Sequence, residues 1–206
     1  MQTSLKRFVV VLSVSLDAFT TAAAAPAPPP DPFSLLHRGR GYLLIGGGVI
    51  NYLDRDVRDE VGPSGTLDLR LGLGSRRVVA AELAYVGSAG SASAFGKYLG
   101  FEGAEAVIRL QSPRQRGKWL AEPFVFGGAG WSHFEIVKAT RLALRDTNDL
   151  LVVPLGAGLT LGNGPFLFDT RFTYRRTFGE GLVPRSNGSR ARLQNWAVTA
   201  SLGWEL

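Results

Sequence analysis

The chain has 206 residues, so it accommodates one domain or a domain with short extras. With no cysteine it makes no disulfide and does no thiol chemistry, and beyond the first residues no apolar run reaches the 18 residues of a membrane-spanning helix. The net charge of +6 is scattered over turns and loops without a stripe of Lys and Arg interleaved with stacking aromatics, which argues against a nucleic-acid partner.

Lys6 and Arg7 precede a short apolar run, Phe8 to Leu16, and then a small-residue stretch ending at Ala22 to Ala25. A charged start, a core too short to span a bilayer and a small-residue cleavage site predict a secretory signal peptide over 1–25. The cut is expected one or two residues before Ala25, because Pro26 hinders cleavage directly after it. Residues 26–40 are Pro-rich and read as an extended linker.

From Gly41 onward, strand-like runs and breakers alternate. Eight strands are predicted: 41–52, 65–74, 77–87, 97–111, 118–131, 150–161, 165–178 and 192–206. Several alternate cleanly. Leu67, Leu69, Leu71 and Leu73 oppose Asp68, Arg70, Gly72 and Gly74; Phe166, Phe168, Phe172 and Tyr174 oppose Asp169, Arg171, Thr173 and Arg175. The last run sets Trp196, Val198, Ala200, Leu202, Trp204 and Leu206 against Asn195, Ala197, Thr199, Ser201, Gly203 and Glu205. The first and fifth runs carry apolar residues at both parities, so alternation does not assign their inward face. Pro154 lies inside the sixth strand, where a bulge or a locally broken pairing is expected.

Connections alternate in length. Those after strands two, four and six are short, and the other four are longer. Short turns at one end and long loops at the other are the pattern of bacterial outer-membrane barrels. An even strand count then leaves both termini on the periplasmic, short-turn side. The fold class expected is an all-β, eight-stranded antiparallel up-and-down transmembrane β-barrel.

The apolar face is assigned to lipid. The opposite face is mainly Gly, Ala, Ser and Thr with isolated charges, which suits a narrow eight-stranded interior. Those charges nearly cancel. Asp68, Glu82, Glu105 and Asp169 against Arg70, Arg109, Arg171 and Arg175 predict a charge network in the lumen. Trp119, Trp131, Phe166, Tyr174, Trp196 and Trp204 are expected at the membrane interfaces. Trp196 and Trp204 are eight residues apart, roughly 20 Å along the membrane normal at the usual rise and tilt.

These features together resemble the small eight-stranded outer-membrane barrels: the OmpA transmembrane domain, the OmpX and Ail adhesin group, and the opacity-type surface proteins. The resemblance covers residues 41–206 and rests on PFVFGGAGW at 123–131, VPLGAGLTLG at 153–162 and the terminal strand. That strand is similar to the signal read by the barrel-assembly machinery, with Trp204 as its aromatic and Leu206, not Phe, in last place. The resemblance implies export by the Sec route and an outer-membrane location. It implies contact with outer-membrane lipid and lipopolysaccharide, and a monomer; no appended peptidoglycan-binding domain is expected from the sequence.

Some barrels of this size act on lipid A through a His, a Ser and often an acid. Here His37 falls in the linker, and His133 follows Ser132 with Glu135 nearby. Adjacent strand residues point to opposite faces, so Ser132 and His133 make a poor nucleophile–base pair. The His-x-Ser-Asn pattern of the deacylases is absent. No catalytic, cofactor or metal-binding residue is assigned. The expected function is a structural or surface-interaction role without general porin activity. The alternatives are a lipid A acyltransferase or deacylase, and a soluble secreted barrel binding an apolar ligand. The long loops carry an acidic group in the first (Asp54, Asp56, Asp59, Glu60 with Arg55, Arg58) and basic residues in the third (Lys138, Arg141, Arg145) and fourth (Arg185, Arg190, Arg192), read as solvated.

Overall fold

The computed structural model describes residues 40–92, 97–138, 146–178 and 193–206. The signal segment, the linker before Arg40, and Arg141, Arg145, Arg185, Arg190 and Arg192 lie outside the described residues.

Eight antiparallel strands close into one barrel. They are β1 (Arg40–Tyr52), β2 (Ser64–Ser75), β3 (Val79–Ala92), β4 (Lys97–Gln111), β5 (Trp119–Lys138), β6 (Asp146–Asn163), β7 (Phe166–Phe178) and β8 (Asn195–Glu205). A three-residue piece, Arg114–Arg116, carries the β4–β5 hairpin past the barrel end. Each strand pairs with its sequence neighbours. β1 pairs with β8 over Tyr42↔Glu205 to Tyr52↔Asn195, and this closes the barrel and removes both sheet edges. One helix, α1 (Arg55–Val61), sits in the first long connection.

The strand ranges follow the alternation, with three corrections. β3 begins at Val79 and runs on to Ala92, paired with β4 as far as Lys97, through what was expected to be the second long loop. β5 runs on to Lys138 and β6 begins at Asp146, so much of the expected third long loop is a projecting hairpin. His133 is therefore a strand residue, not a loop residue. The first loop contains a helix where solvated chain was expected. At Pro154 the β5–β6 register holds on both sides, but the pairs opposite Gly128 and Ala129 are missing. The ladder is locally broken, and there is no bulge, because proline has no N–H to donate.

Alternation also settles the exterior. Leu67, Leu83 and Leu202 are 72%, 63% and 63% exposed, and the other outward positions of β2, β3 and β8 follow. A continuous apolar exterior this large is not a soluble surface, and it puts the apolar face outside, not around a ligand. On the two ambiguous strands the even-numbered residues point inward: Tyr42, Leu44, Ile50 and Tyr52 on β1, and Leu120, Glu122, Phe124, Phe126, Ser132 and Phe134 on β5. Both faces of these strands are apolar because one meets the outside and the other fills the lumen.

Candidate functional site

The lumen is packed in three tiers. The middle tier is ionic, and Glu82 on β3 is its hub. It accepts hydrogen bonds from Arg109 Nη1 (2.6 Å), Arg171 Nη1 (2.9 Å) and the Tyr42 hydroxyl (2.7 Å). Asp169 accepts from Arg171 Nε and from the Thr160 hydroxyl, each at 2.8 Å, and Arg109 Nη2 donates to Thr160 at 3.0 Å. Beside this group Arg70 pairs with Asp68 at 2.5 Å, and Ser201 bridges the two. Higher in the lumen Arg175 pairs with Glu105 at 2.5 Å. Asp68, Arg70, Glu82, Glu105, Arg109, Asp169, Arg171 and Arg175 are all buried, each 6% exposed or less. Buried ions of this kind are tolerated only when paired.

The spacing explains two of these pairs. Asp68-Leu69-Arg70 and Asp169-Thr170-Arg171 repeat Asp-x-Arg, and a period of two puts both charges of each triplet on the inner face of one strand. Aromatic rings fill the remaining space. The Arg109 guanidinium lies 3.7 Å from the Phe124 ring centre, and Arg171 lies 5.1 Å from Phe124 and 5.3 Å from Phe126. Those rings lie against Gly158 and Gly156 of β6, where any Cβ would collide with them and with the β7 backbone.

The tier at the short-turn end is built around Arg76, a non-glycine residue held at φ 62° in the β2–β3 turn. Its guanidinium donates to both Glu205 carboxylate oxygens (2.8 Å each), to the Gln115 side chain (3.1 Å) and to the Gly164 carbonyl (3.2 Å). Its backbone N–H donates to Glu122 at 2.7 Å. One side chain thus ties all three short turns to the end of β8. The hydrogen bond to Glu205 holds the guanidinium above its ordinary range, against the opposing effect of partial burial.

The tier at the long-loop end is apolar. Val57 and Val61 of α1 pack with Ile50, Tyr52, Val86, Leu99, Phe101, Phe134, Leu150 and Leu193. The Phe101 and Phe134 rings stack at 5.3 Å. Arg55, Arg58 and Asp59 of α1 are exposed, with Arg55 and Asp59 3.5 Å apart one turn on. Gly62 ends the helix at φ 64°, its N–H bonded to the Arg58 carbonyl. This tier corrects the expectation of an inner face made mainly of small residues.

On the outer wall, Trp119, Phe166 and Trp204 are exposed toward the short turns, with Phe166 and Trp204 directly opposite each other. Toward the long loops lie Trp131, exposed, and the partners Tyr174 and Trp196, half-buried. Tyr85 belongs with the second set; its hydroxyl donates to Glu102 at 2.8 Å. His133 also faces outward, its Nδ1 2.7 Å from Asp149 across the β5–β6 ladder, while Ser132 is buried inside. Among the described residues no three metal-ligating side chains gather.

The lumen charges were legible one by one. The Arg76–Glu205 knot, Tyr42, Glu122 and the apolar plug were missed. The signal for the plug was present in the double-faced apolar pattern of β1 and β5.

A closed up-and-down barrel of eight strands, apolar outside and ion-paired inside, is the architecture of the small outer-membrane barrels. Among solved structures the chain is similar to Neisserial surface protein A (TM-score 0.59, 10% identity, 81% of this chain and 97% of that one). It is also similar to Ail, the attachment invasion locus protein of Yersinia pestis (TM-score 0.50, 11% identity, 81% of this chain and 99% of that one). No protein-family model and no curated protein sequence matches the chain.

Proposed function

We propose that the chain is an integral protein of the bacterial outer membrane with a structural or surface-interaction role, without catalysis and without general porin activity. The observation that carries this reading is the contrast between an apolar outer wall and an interior packed with side chains in all three tiers among the described residues. The wall suits lipid. The ionic tier, the Arg76 knot and the α1 plug leave the interior to side chains, and eight strands enclose little more than that. In this reading the aromatic sets are the interfacial girdles, the short turns and both barrel termini are periplasmic, and the long loops and α1 face outward. Export by the Sec route, recognition of β8 by the assembly machinery, a monomeric barrel, and contact with phospholipid and lipopolysaccharide belong to the same proposal.

The protein is expected to fractionate with outer membranes, to require detergent, and to shift on gels when boiled. A freely soluble monomer would contradict the reading. One observation favours the lipid A enzyme as a second reading: the His133–Asp149 pair stands on the outer wall, two residues beyond the interfacial Trp131, at the level of lipid headgroups in this reading. Opposing it, the strand neighbour Ser132 points into the barrel. Replacing His133 with Ala is expected to leave the lipid A mass profile unchanged; a changed profile would establish the enzyme reading.

A further inference from the structure

The short-turn end carries a feature that the packing of the lumen does not use. In the β4–β5 hairpin, Arg116 is paired with Trp119 and Arg114 with Ala121. Directly opposed residues of an antiparallel pair share a face. Trp119 is exposed and Leu120 is buried, so that face is the outer wall. Gln115, between the two arginines, alternates with them and accepts from Arg76 at the mouth. Arg114, Arg116, Trp119, Ala121 and Leu161, together with Gln115 and Leu120, line a groove of about 320 Å³ at this end. Its floor is apolar and continuous with the outer wall, and two guanidiniums stand at its edge. Both arginines are exposed, and neither makes an ion pair among the described residues. The acids at this end among the described residues, Glu122 and Glu205, point inward and are already bonded to Arg76.

We infer that this groove is a binding site for one anionic phospholipid of the adjoining leaflet. The forked guanidiniums of Arg114 and Arg116 hold its phosphodiester, Trp119 lies at the headgroup level, and an acyl chain runs over Ala121 and Leu161. Charge complementarity selects the occupant, since a zwitterionic headgroup brings its own cation to two arginines. The inference rests on the membrane-spanning reading above.

The test is native mass spectrometry of the full-length chain released from nanodiscs containing phosphatidylglycerol and phosphatidylcholine. The wild-type barrel is expected to retain phosphatidylglycerol above its bulk fraction. At about fivefold per cation near an anionic surface, Arg114→Gln and Arg116→Gln each lower that preference roughly fivefold, and the double variant roughly 25-fold. Arg55→Gln, an exposed side chain at the long-loop end, is expected to leave it unchanged. The single variants keep the test decisive if the double variant does not fold. Equal retention of the two lipids by the wild-type barrel, or undiminished preference in the variants, would overturn the site. Failure of the wild-type chain to enter the nanodisc would instead overturn the membrane reading.

Discussion

Deleting residues 193–206 is expected to abolish assembly, not merely to weaken it. β8 is bonded to β1 along Tyr42 to Tyr52 and to β7 along Phe166 to Arg175, so its removal opens the ring and exposes two edges at once. Backbone N–H and C=O groups on those edges have no water to turn to in a hydrocarbon layer. Each costs several kcal/mol, which is why only closed barrels and helices span membranes. The deletion also removes Glu205, the anchor of Arg76, and Leu193 from the apolar plug. The check is the heat-shift assay on outer-membrane fractions. The truncated chain should give no compact band and should be degraded; a folded truncated protein in the membrane would contradict closure by β8.

The second large effect lies in the ionic tier. Glu82→Ala leaves the Arg109 and Arg171 guanidiniums with Asp169 as their one shared carboxylate among the described residues, and leaves the Tyr42 hydroxyl, still accepting from Arg109, without an acceptor of its own. Breaking a buried ion pair from one side costs about 3–5 kcal/mol, and two arginines share this one. The urea midpoint of the barrel in detergent should fall accordingly. Removing both members of the simpler Arg175–Glu105 pair, as Met and Leu, should cost less than removing Glu105 alone, because no uncompensated charge remains. The reverse order of those two costs would show that the pairs stabilise by Coulomb attraction and not by mutual neutralisation.

Strand number, order and outward face could be read from the sequence because a period of two is local and each strand repeats it. The Asp-x-Arg triplets of β2 and β7 could be read for the same reason. Which charges meet could not. Glu82 on β3 and Arg171 on β7 are 89 residues apart and meet only because the ring closes. Arg76 was legible as a turn residue, but its partners come from the other short turns and from the last strand, so its role exists only in the finished barrel. The first long connection misled for a different reason. Its many charges suggested solvated chain, and they outweighed Val57 and Val61, four residues apart, which share a helix face and dip into the lumen. β1 and β5 gave no inward face because the alternation argument assumes one polar side, and on these two strands both sides carry apolar residues, Glu122 and Ser132 being too few to mark the inner one.

The central claim is that the alternate outward residues face hydrocarbon while their neighbours face a packed interior. The chain has no cysteine, so single spin labels can be placed without background. Cysteines introduced one at a time at Val198, Thr199, Ala200, Ser201 and Leu202 of β8 scan both faces of one strand in a bilayer. Collision with oxygen should be high at 198, 200 and 202 and low at 199 and 201, with a water-soluble nickel chelate reaching none of them. Chelate access at 198, 200 and 202, or the loss of the two-residue period, would contradict the account.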